Sequence, residues 1–273
     1  MKKILFPTDF SSASQHAFRY ALRLAHDRNA EIITVHAYDL PQVDYANYPI
    51  PLTIIYQVND LGNFENYKQH IPILHEIAKS IGLEHIKLSN VLECGNLMDI
   101  LTKLCKTEQV DCIVMGTKGT SGIVETFLGS VTSKVMHEIP VPVFAIPEFA
   151  QFNSIKNMLF ITRYDSTDKA ILQQALKMAN HFSGTLHCLH VGDLLVDQRN
   201  QKKWEHQFPT VSFTNLKTDL DIESHILEYI GQHSFDLLVM PIHHKTRFER
   251  IFQRSLSKRL SMHVSIPILS LPN

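Results

Sequence analysis

Short apolar runs alternate along this sequence with segments of helical periodicity. The apolar runs have the length of strands, and the residues between them repeat apolar side chains every three or four positions, as one face of a helix does. In the first half the predicted strands are residues 4–7, 31–37, 86–92, 111–115 and 141–146, and the predicted helices begin near residues 12, 71, 96 and 131. Strands that alternate with helices are typical of a doubly wound parallel sheet, so the pattern predicts an α/β fold.

The alternation is interrupted between Tyr38 and about Tyr67. This stretch contains Pro41, Pro49, Pro51 and Gly62, and its apolar residues follow neither the helical nor the strand period. Proline and glycine are the strongest local breakers of regular structure. The sequence therefore predicts a long, irregular crossover loop here.

The second half repeats the plan of the first. Apolar positions of the first helix and the histidine of the second strand recur 154 residues later, from Ala17, Ala21, Leu24, Ala25 and His36 to Ile171, Ala175, Met178, Ala179 and His190. Further on the displacement falls to 125, because Met115 corresponds to Met240. The difference (154 − 125 = 29) is about the length of the interrupted stretch. We therefore predict two tandem domains, residues 1–149 and residues 150–273, joined by an aperiodic segment.

Charge and composition narrow the possible partners. The chain carries 26 lysines and arginines against 27 aspartates and glutamates, which gives a net charge of −1. No global basic field is available for nucleic acid or an anionic membrane, so neither is an expected partner. No apolar run approaches the roughly 18 residues of a membrane span. Any anion must therefore be bound by a local site.

The four cysteines, Cys94, Cys105, Cys112 and Cys188, show no CxxC spacing. Three of them lie in apolar strand or helix patterns, where a buried, reduced thiol is the ordinary interpretation. The sequence enters its first strand directly after Met1-Lys2-Lys3, without a leader pattern. These features predict a soluble, cytoplasmic protein.

A glycine motif follows the fourth predicted strand. Its spacing is Gly116-x2-Gly119-x9-Gly129-Ser130, and a helical pattern begins directly after it. Glycines let backbone N–H groups approach a phosphate chain closely, and the first N–H groups of a helix have no partner of their own. Ser130 and Thr132 add hydroxyl groups. The Lys-Ser/Thr pair of a Walker loop is missing after Gly129, so this is a different kind of phosphate site.

The motif resembles the ATP-binding signature of the universal stress protein family and matches it at every fixed position. The opening residues from Lys3 to Ser11 are similar to the first strand and turn of the same family, so the resemblance covers the first half. It implies two tandem adenine nucleotide alpha hydrolase-like, Rossmann-like domains. It also implies ATP, with Mg²⁺ accompanying the phosphates, a slow or absent turnover, and a role in stress survival. By the same analogy, Val141 to Ile146 pairs with Ile266 to Leu271 as an intrachain pseudo-dimer, and a homodimer is possible.

Asp9 belongs to the nucleoside end of the predicted site. Its carboxylate would repel phosphates at short range, so it is suited to accept hydrogen bonds from a ribose hydroxyl or an adenine amino group. The alternative is that Asp9 only caps the first helix. Lys118 either neutralises a phosphate or is a solvated charge. The predicted nucleotide-binding residues are Pro7, Thr8, Asp9, Ala37, Met115, Gly116, Lys118, Gly119, Gly129, Ser130, Val131 and Thr132; no catalytic or metal-binding residue is assigned.

The second half lacks this motif. Pro241, His244 and Arg254 stand where the three glycines are, and Arg163 stands in the place of Asp9. Basic residues accumulate there instead, at His243, His244, Lys245, Arg247, Arg250, Arg254, Lys258 and Arg259. They form either an anion site or a solvated face. Zinc binding by His243 and His244 with His187 or His190 is disfavoured, because neighbouring strand residues point to opposite faces.

Three functions remain open. A regulatory, stress-response nucleotide binder needs only the motif. An ATP hydrolase also needs a group that positions water near the phosphates, and the segment between Gly119 and Gly129 offers only Glu125. A scaffold would bind an anionic ligand or partner through its basic second half. The intact glycines favour the first function, with at most weak ATP hydrolysis.

Overall fold

The computed structural model describes residues 1–39, 52–117, 129–164, 166–192, 194–217, 222–241 and 266–272. The chain divides into two compact units, Met1–Ser121 and Gly122–Asn273. Each unit combines mostly parallel strands with helices, which confirms the predicted α/β class.

In its described residues the first unit contains a four-stranded parallel sheet and three helices. Its strands lie in the order β3-β2-β1-β4. The elements are β1 (Lys3–Pro7), α1 (Ser12–Arg28), β2 (Glu31–Tyr38), α2 (Leu52–Ser80), β3 (Leu88–Cys94), α3 (Leu97–Thr107) and β4 (Cys112–Gly116). Strands β1 and β4 have almost continuous buried runs. Strands covered on both faces need such runs, which is why the sequence showed them as short apolar blocks.

Helix α1 begins and ends at residues that favour helix termini. Ser11 is the N-cap, and its side chain accepts a hydrogen bond from the backbone N–H of Ser14. Asn29 ends the helix in the left-handed conformation, with φ 50°, which asparagine tolerates better than most residues. The buried face of α1 includes Ala17 and Leu24, as the helical period predicts.

Helix α2 corrects the prediction of a loop between Tyr38 and Tyr67. The helix already begins at Leu52 and continues for 29 residues, through Pro72, to Ser80. The prediction failed because Gly62 indicated a break, and because the described apolar side chains of Ile54, Val58 and Leu61 are exposed and so mark no buried helical face. Residues 40–51 lie outside the described part of the chain.

The second unit contains six strands and four helices in its described part. The strand order is β5-β10-β9-β6-β7-β8. The elements are α4 (Ser130–Glu138), β5 (Val143–Ile146), β6 (Asn157–Thr162), α5 (Ser166–His181), β7 (Thr185–Gly192), α6 (Leu194–Gln207), β8 (Ser212–Lys217), α7 (Ile222–Gln232), β9 (Leu237–Pro241) and β10 (Ile268–Leu271). In the described part of this unit, β5 and β10 pair in antiparallel fashion, whereas β10 with β9, β9 with β6, β6 with β7 and β7 with β8 are parallel.

Strands β5 and β10 pair in antiparallel fashion. Phe144 lies opposite Leu269, and both strands are fully buried. The two segments that were expected to meet, Val141 to Ile146 and Ile266 to Leu271, therefore do pair. This pairing also explains why β5 belongs to the second compact unit, although the sequence repeat divides near residue 149. The domain boundary between residues 149 and 150, which comes from the sequence repeat, stays a prediction.

The same hydrogen bonds occur at equivalent places in both units. Asp111 accepts from the backbone N–H groups of residues 2 and 3, at 2.5 and 2.9 Å. Asp236 accepts in the same way from residues 156 and 157, at 2.9 and 2.8 Å. Each aspartate precedes a strand and fixes the start of the neighbouring one. The two halves thus share local contacts as well as sequence periodicity.

The four cysteines are free thiols. Cys105, Cys112 and Cys188 are buried, as predicted, and Cys94 is exposed. Burial raises the pKa of Cys105 to about 11 and also raises the pKa values of Cys112 and Cys188. These buried thiols are therefore protonated at neutral pH, and unreactive. In the described residues, no helix has the length and apolar character that crossing a membrane requires.

Candidate functional site

Three strands of the first unit bring predicted site residues to one edge of the sheet. Strand β1 pairs in parallel with both β2 and β4. Their carboxyl ends therefore lie side by side. Pro7 ends β1, Ala37 is the penultimate residue of β2, and Met115 and Gly116 end β4. In open α/β sheets this edge is where ligands bind.

Thr8 is buried directly after β1 and shapes the loop to α1. Its hydroxyl lies 2.8 Å from the hydroxyl of Ser14 and accepts a hydrogen bond of 3.0 Å from the backbone N–H of Phe10. Phe10 has a left-handed backbone, with φ 58°. The Thr8 side chain therefore supports a loop conformation that non-glycine residues seldom adopt.

Asp9 is exposed at the tip of this loop. Its Oδ1 atom accepts hydrogen bonds from the backbone N–H of Ser11, at 3.0 Å, and from the Ser11 hydroxyl, at 2.6 Å. Since Ser11 is the N-cap of α1, Asp9 orients the cap and is not the cap itself. The carboxylate is thus held in a fixed orientation at the edge of the sheet.

An aromatic cluster, formed by Phe10, His36, Tyr67 and His70, lies beside Ala37. The Phe10 ring lies 5.1 Å from the His36 ring and stacks on His70 at 4.7 Å. His36 Nδ1 lies 2.8 Å from the carbonyl oxygen of Thr8, so the cluster is tied to the β1–α1 loop. Burial raises the pKa of Tyr67 to about 12. Sequence reasoning missed this cluster, because two of its members lie in α2.

Helix α2 is also tied to the end of β2. The Tyr38 hydroxyl donates a hydrogen bond of 3.1 Å to Asp60 of α2. Burial, together with this carboxylate, raises the pKa of Tyr38 to about 12. The Tyr38 carbonyl accepts from the backbone N–H of Gly95 at 2.9 Å. The edge that carries Ala37 is therefore fixed on two sides.

The glycine motif is described only at its two ends. Met115 is buried and Gly116 is half-buried at the end of β4. Lys118 and Gly119 lie outside the described residues. Gly129 reappears as the N-cap of α4, in the second compact unit.

The start of α4 has no side-chain cap. Gly129 has an extended backbone, with φ −61° and ψ 153°, and forms no side-chain hydrogen bond. Ser130 and Val131 are exposed, whereas Thr132 is buried. The first N–H groups of a helix have no intrahelical acceptor, and they carry the positive end of its dipole. This end is suited to an anion.

The second unit repeats the β1–α1 loop with different chemistry. The backbone N–H of Tyr164 donates to the Thr162 hydroxyl at 2.8 Å, and His190 Nδ1 lies 2.9 Å from the Thr162 carbonyl. Thr162, Tyr164 and His190 follow Thr8, Phe10 and His36 by 154 residues. Trp204 packs edge-on against Tyr164 at 5.1 Å. This loop is thus covered by large side chains of its own unit.

A buried carboxylate replaces a hydroxyl in this repeated loop. Asp168 occupies the position that Ser14 has in the first unit, and it is 1% exposed. It accepts 2.8 Å hydrogen bonds from the Thr162 hydroxyl and from the backbone N–H of Arg163. The Arg163 side chain, which stands in the place of Asp9, is exposed.

The described histidines of the considered zinc site, His187 and His190, have other hydrogen-bond partners. His187 uses both ring nitrogens, with Ser212 Oγ at 2.6 Å and the Tyr229 hydroxyl at 2.8 Å. Burial lowers the pKa of His187, so the neutral ring is favoured. Over the described ranges, no group of three or more potential ligand side chains could hold a metal ion. The basic stretch from His243 to Arg259 lies outside those ranges.

The fold and the strand edge define a doubly wound α/β protein with a glycine motif after its fourth strand. The model of the universal stress protein family matches residues 1–147. This chain belongs to the universal stress protein family. The predicted family is thereby confirmed.

Individual relatives match about half of the chain. It is 26% identical over 152 residues to the universal stress protein MJ0577 of Methanocaldococcus jannaschii, which covers 53% of this chain and 94% of that protein. It is 29% identical over 148 residues to a universal stress protein of Methanothermobacter thermautotrophicus, with coverages of 53% and 94%. A crystal structure of a universal stress protein from Archaeoglobus fulgidus covers 99% of this chain and 98% of its own, with a TM-score of 0.73. At 18% identity that likeness shows the fold alone.

Proposed function

We propose that this protein binds ATP, accompanied by Mg²⁺, and acts as a regulatory stress-response protein with at most weak ATP hydrolysis. The observation that carries the proposal is the glycine motif, with Gly116 at the end of β4 and Gly129 at the uncapped start of α4. Gly129 has a backbone conformation that any residue adopts, so its own geometry does not require glycine. The remaining reason for a glycine at this position is that it lets a ligand approach the backbone closely.

The nucleoside end of the proposed site is the edge formed by Pro7, Asp9, Ala37 and Met115. Asp9 presents an oriented, exposed carboxylate that can accept from ribose hydroxyls or the adenine amino group. The half-buried rings of the aromatic cluster offer faces on which a planar base can stack. Thr8 contributes indirectly, since its hydroxyl holds the loop that carries Asp9.

The phosphate end of the proposed site rests on the motif itself. Backbone N–H groups of Gly129, Ser130 and Val131 and the hydroxyl groups of Ser130 and Thr132 are the proposed donors. Gly116, Gly119 and Lys118 complete the set by their spacing in the motif. The magnesium ion would be held by the phosphates, since no protein ligand is assigned.

We further propose that the second half arose as a tandem copy that lost nucleotide binding. The repeated Asp111 and Asp236 contacts support the duplication. Arg163 in the place of Asp9 and Trp204 packed on Tyr164 both argue against a nucleoside there. The two domains, residues 1–149 and 150–273, would form a pseudo-dimer in which β5 pairs with β10. Free, buried cysteines fit a cytoplasmic location.

Calorimetric titration of the nucleotide-free protein with ATP and Mg²⁺ tests the proposal. We expect a stoichiometry of about one ATP per chain, because only the first half carries the motif. A stoichiometry of two would contradict the loss of binding in the second half. Absence of binding would favour a scaffold that acts through its basic second half. Formation of ADP in a single-turnover assay would favour a hydrolase.

Asp9→Ala is expected to weaken ATP binding about 10- to 150-fold, because a charged acceptor that holds a ligand hydroxyl contributes about 1.5–3 kcal/mol. The matched control is Arg163→Ala, at the equivalent position of the second half, which should leave the affinity unchanged. Calorimetry with both variants measures the difference. Equal affinities for Asp9→Ala and the parent protein would mean that Asp9 only orients the Ser11 cap.

A further inference from the structure

Helix α2 is longer than the sheet it packs against. Its 29 residues extend for about 44 Å, whereas the eight residues of β2 extend for only about 26 Å. The helix follows β2 and leads back to β3, which is parallel to β2. It therefore runs from the carboxyl edge of the sheet towards the amino edge. The excess length must project beyond one of these edges.

The contacts of α2 show which end projects. Buried side chains occur only in its C-terminal half in the described part, at Tyr67, Leu74, Ile77 and Ala78. Asp60 is hydrogen-bonded to Tyr38, the last residue of β2. The turns of α2 before Asp60 therefore extend past the carboxyl edge, where the candidate nucleotide site lies.

This projecting part carries an exposed apolar surface, which we call the α2 stripe. It consists of Ile54, Val58, Leu61 and Phe64, with exposed fractions of 49%, 66%, 62% and 50%. Their spacing of four, three and three residues places them on one side of the helix. Among the described residues seven large apolar side chains are exposed, and four of them form this stripe. Such a concentration marks an interaction surface rather than scattered surface residues.

We propose that the α2 stripe binds the α2 stripe of a second copy of this chain, with the two helices antiparallel. A two-fold interface requires a surface that complements itself. With Leu61 at the axis, Val58 of one copy meets Phe64 of the other, because the two residues lie three positions before and after Leu61. No Cβ-sized obstacle lies within 4 Å of Gly62, so the helices have room to approach next to the axis.

Charge does not oppose this pairing. Glu65 and Lys68 lie four and seven residues after Leu61, on the side of the helix that carries the stripe, and form an ion pair of 4.0 Å within one helix. The Lys68 ammonium also lies 5.9 Å from the centre of the Phe64 ring, so its stem covers part of the stripe. With Leu61 at the axis, Lys68 of one copy lies opposite Ile54 of the other. Glu65 lies opposite Gln57, so like charges do not face each other.

The size of the stripe predicts a weak dimer. Four half-exposed apolar side chains make a patch on the order of 300–600 Å². A stable interface uses about 800 Å² from each partner. The patch is therefore large enough to form the centre of an interface, but it is too small to hold a permanent dimer together. We expect dissociation in the micromolar range, at about 10–100 μM.

The molar mass of the nucleotide-free full chain, measured by sedimentation over about 1–500 μM, tests the proposal across the expected range. We expect a concentration-dependent shift from monomer to dimer. Leu61→Glu should abolish the shift, because it places like charges at the axis. Asn66→Glu, an exposed position of the same helix off the stripe, should leave it unchanged. The proposal is overturned if the parent protein stays monomeric over this range, which is the result expected if residues 40–51 or another protein cover the stripe. It is also overturned if Leu61→Glu and Asn66→Glu change the molar mass equally.

Cysteine cross-linking tests the antiparallel arrangement separately. In a Cys94→Ser background, Leu61→Cys should form an intermolecular disulfide under mild oxidation, because position 61 meets itself at the two-fold axis. Asn66→Cys should remain reduced under the same conditions. A dimer that associates but is cross-linked through Asn66→Cys rather than Leu61→Cys would contradict the arrangement. Both experiments omit nucleotide, so they can fail or succeed independently of the ATP proposal.

Discussion

Gly129→Leu is expected to lower the affinity for ATP at least about a hundredfold, equivalent to about 2.7 kcal/mol, while leaving the fold intact. The backbone of Gly129, at φ −61° and ψ 153°, accommodates any residue, so leucine introduces no backbone strain. Replacing glycine at an N-cap with a residue that cannot cap costs at most about 1 kcal/mol. A side chain there would, however, stand between a phosphate and the first N–H groups of α4. Calorimetry measures the affinity, and circular dichroism checks the fold.

The matched control for this variant is Gly231→Leu. Gly231 lies in α7, and a Cβ added there meets no atom within 4 Å, so leucine has room. Its affinity for ATP should equal that of the parent protein. If Gly129→Leu also bound ATP normally, the glycine motif would not be the phosphate site. Its glycines would then only shape the loop between β4 and α4.

Elements that are buried on both faces were predictable from the sequence. Strands β1 and β4 are apolar blocks because both of their faces are covered, and such blocks are visible without any knowledge of tertiary contacts. The predicted third strand, residues 86–92, lies two residues before the observed β3 (Leu88–Cys94). Ile86 is buried just before the strand, so an apolar residue that packs outside the strand shifted the predicted boundary.

The projecting part of α2 was not predictable by the same reasoning. Hydrophobic periodicity identifies a helix through the face it buries, and Val58 and Leu61 are not buried within this chain. The exposed stripe that concealed the helix is the same feature that supports the proposed dimer. A failure of the sequence pattern thus coincides with a candidate interaction surface, as is expected where local rules conflict with function.

Contacts between residues that are distant in the sequence could not be predicted either. The pairing of Phe10 with His70 depends on where α2 lies, and no local pattern indicates it. The acidic residue Asp168 lies in the first turn of α5, where a solvated carboxylate that favours the helix dipole is the ordinary expectation. Its burial follows only from the loop of Thr162, which folds back over the start of the helix.

Asp168→Ala is expected to destabilise the second unit by about 3 kcal/mol. The carboxylate is buried and accepts from the Thr162 hydroxyl and the backbone N–H of Arg163, both at 2.8 Å. In the alanine variant the Thr162 hydroxyl and the Arg163 N–H lose the carboxylate acceptor, in a site that water does not reach. Losing a hydrogen bond to a charged group costs more than losing one between neutral groups. Urea unfolding followed by the fluorescence of Trp204, the single tryptophan, reports on this unit directly.

The duplicated loop supplies the control for Asp168. Ser14→Ala removes the equivalent group of the first unit, where two neutral hydroxyls lie 2.8 Å apart, and should cost only about 1 kcal/mol when unfolding is followed by circular dichroism. Asp168→Asn keeps an acceptor of the same shape and should fall between the two. If Asp168→Ala cost no more than Ser14→Ala, the buried charge would contribute nothing beyond a hydroxyl. The replacement of serine by aspartate would then be a neutral difference between the two loops, whereas a larger cost identifies Asp168 as a stabilising group of the second loop.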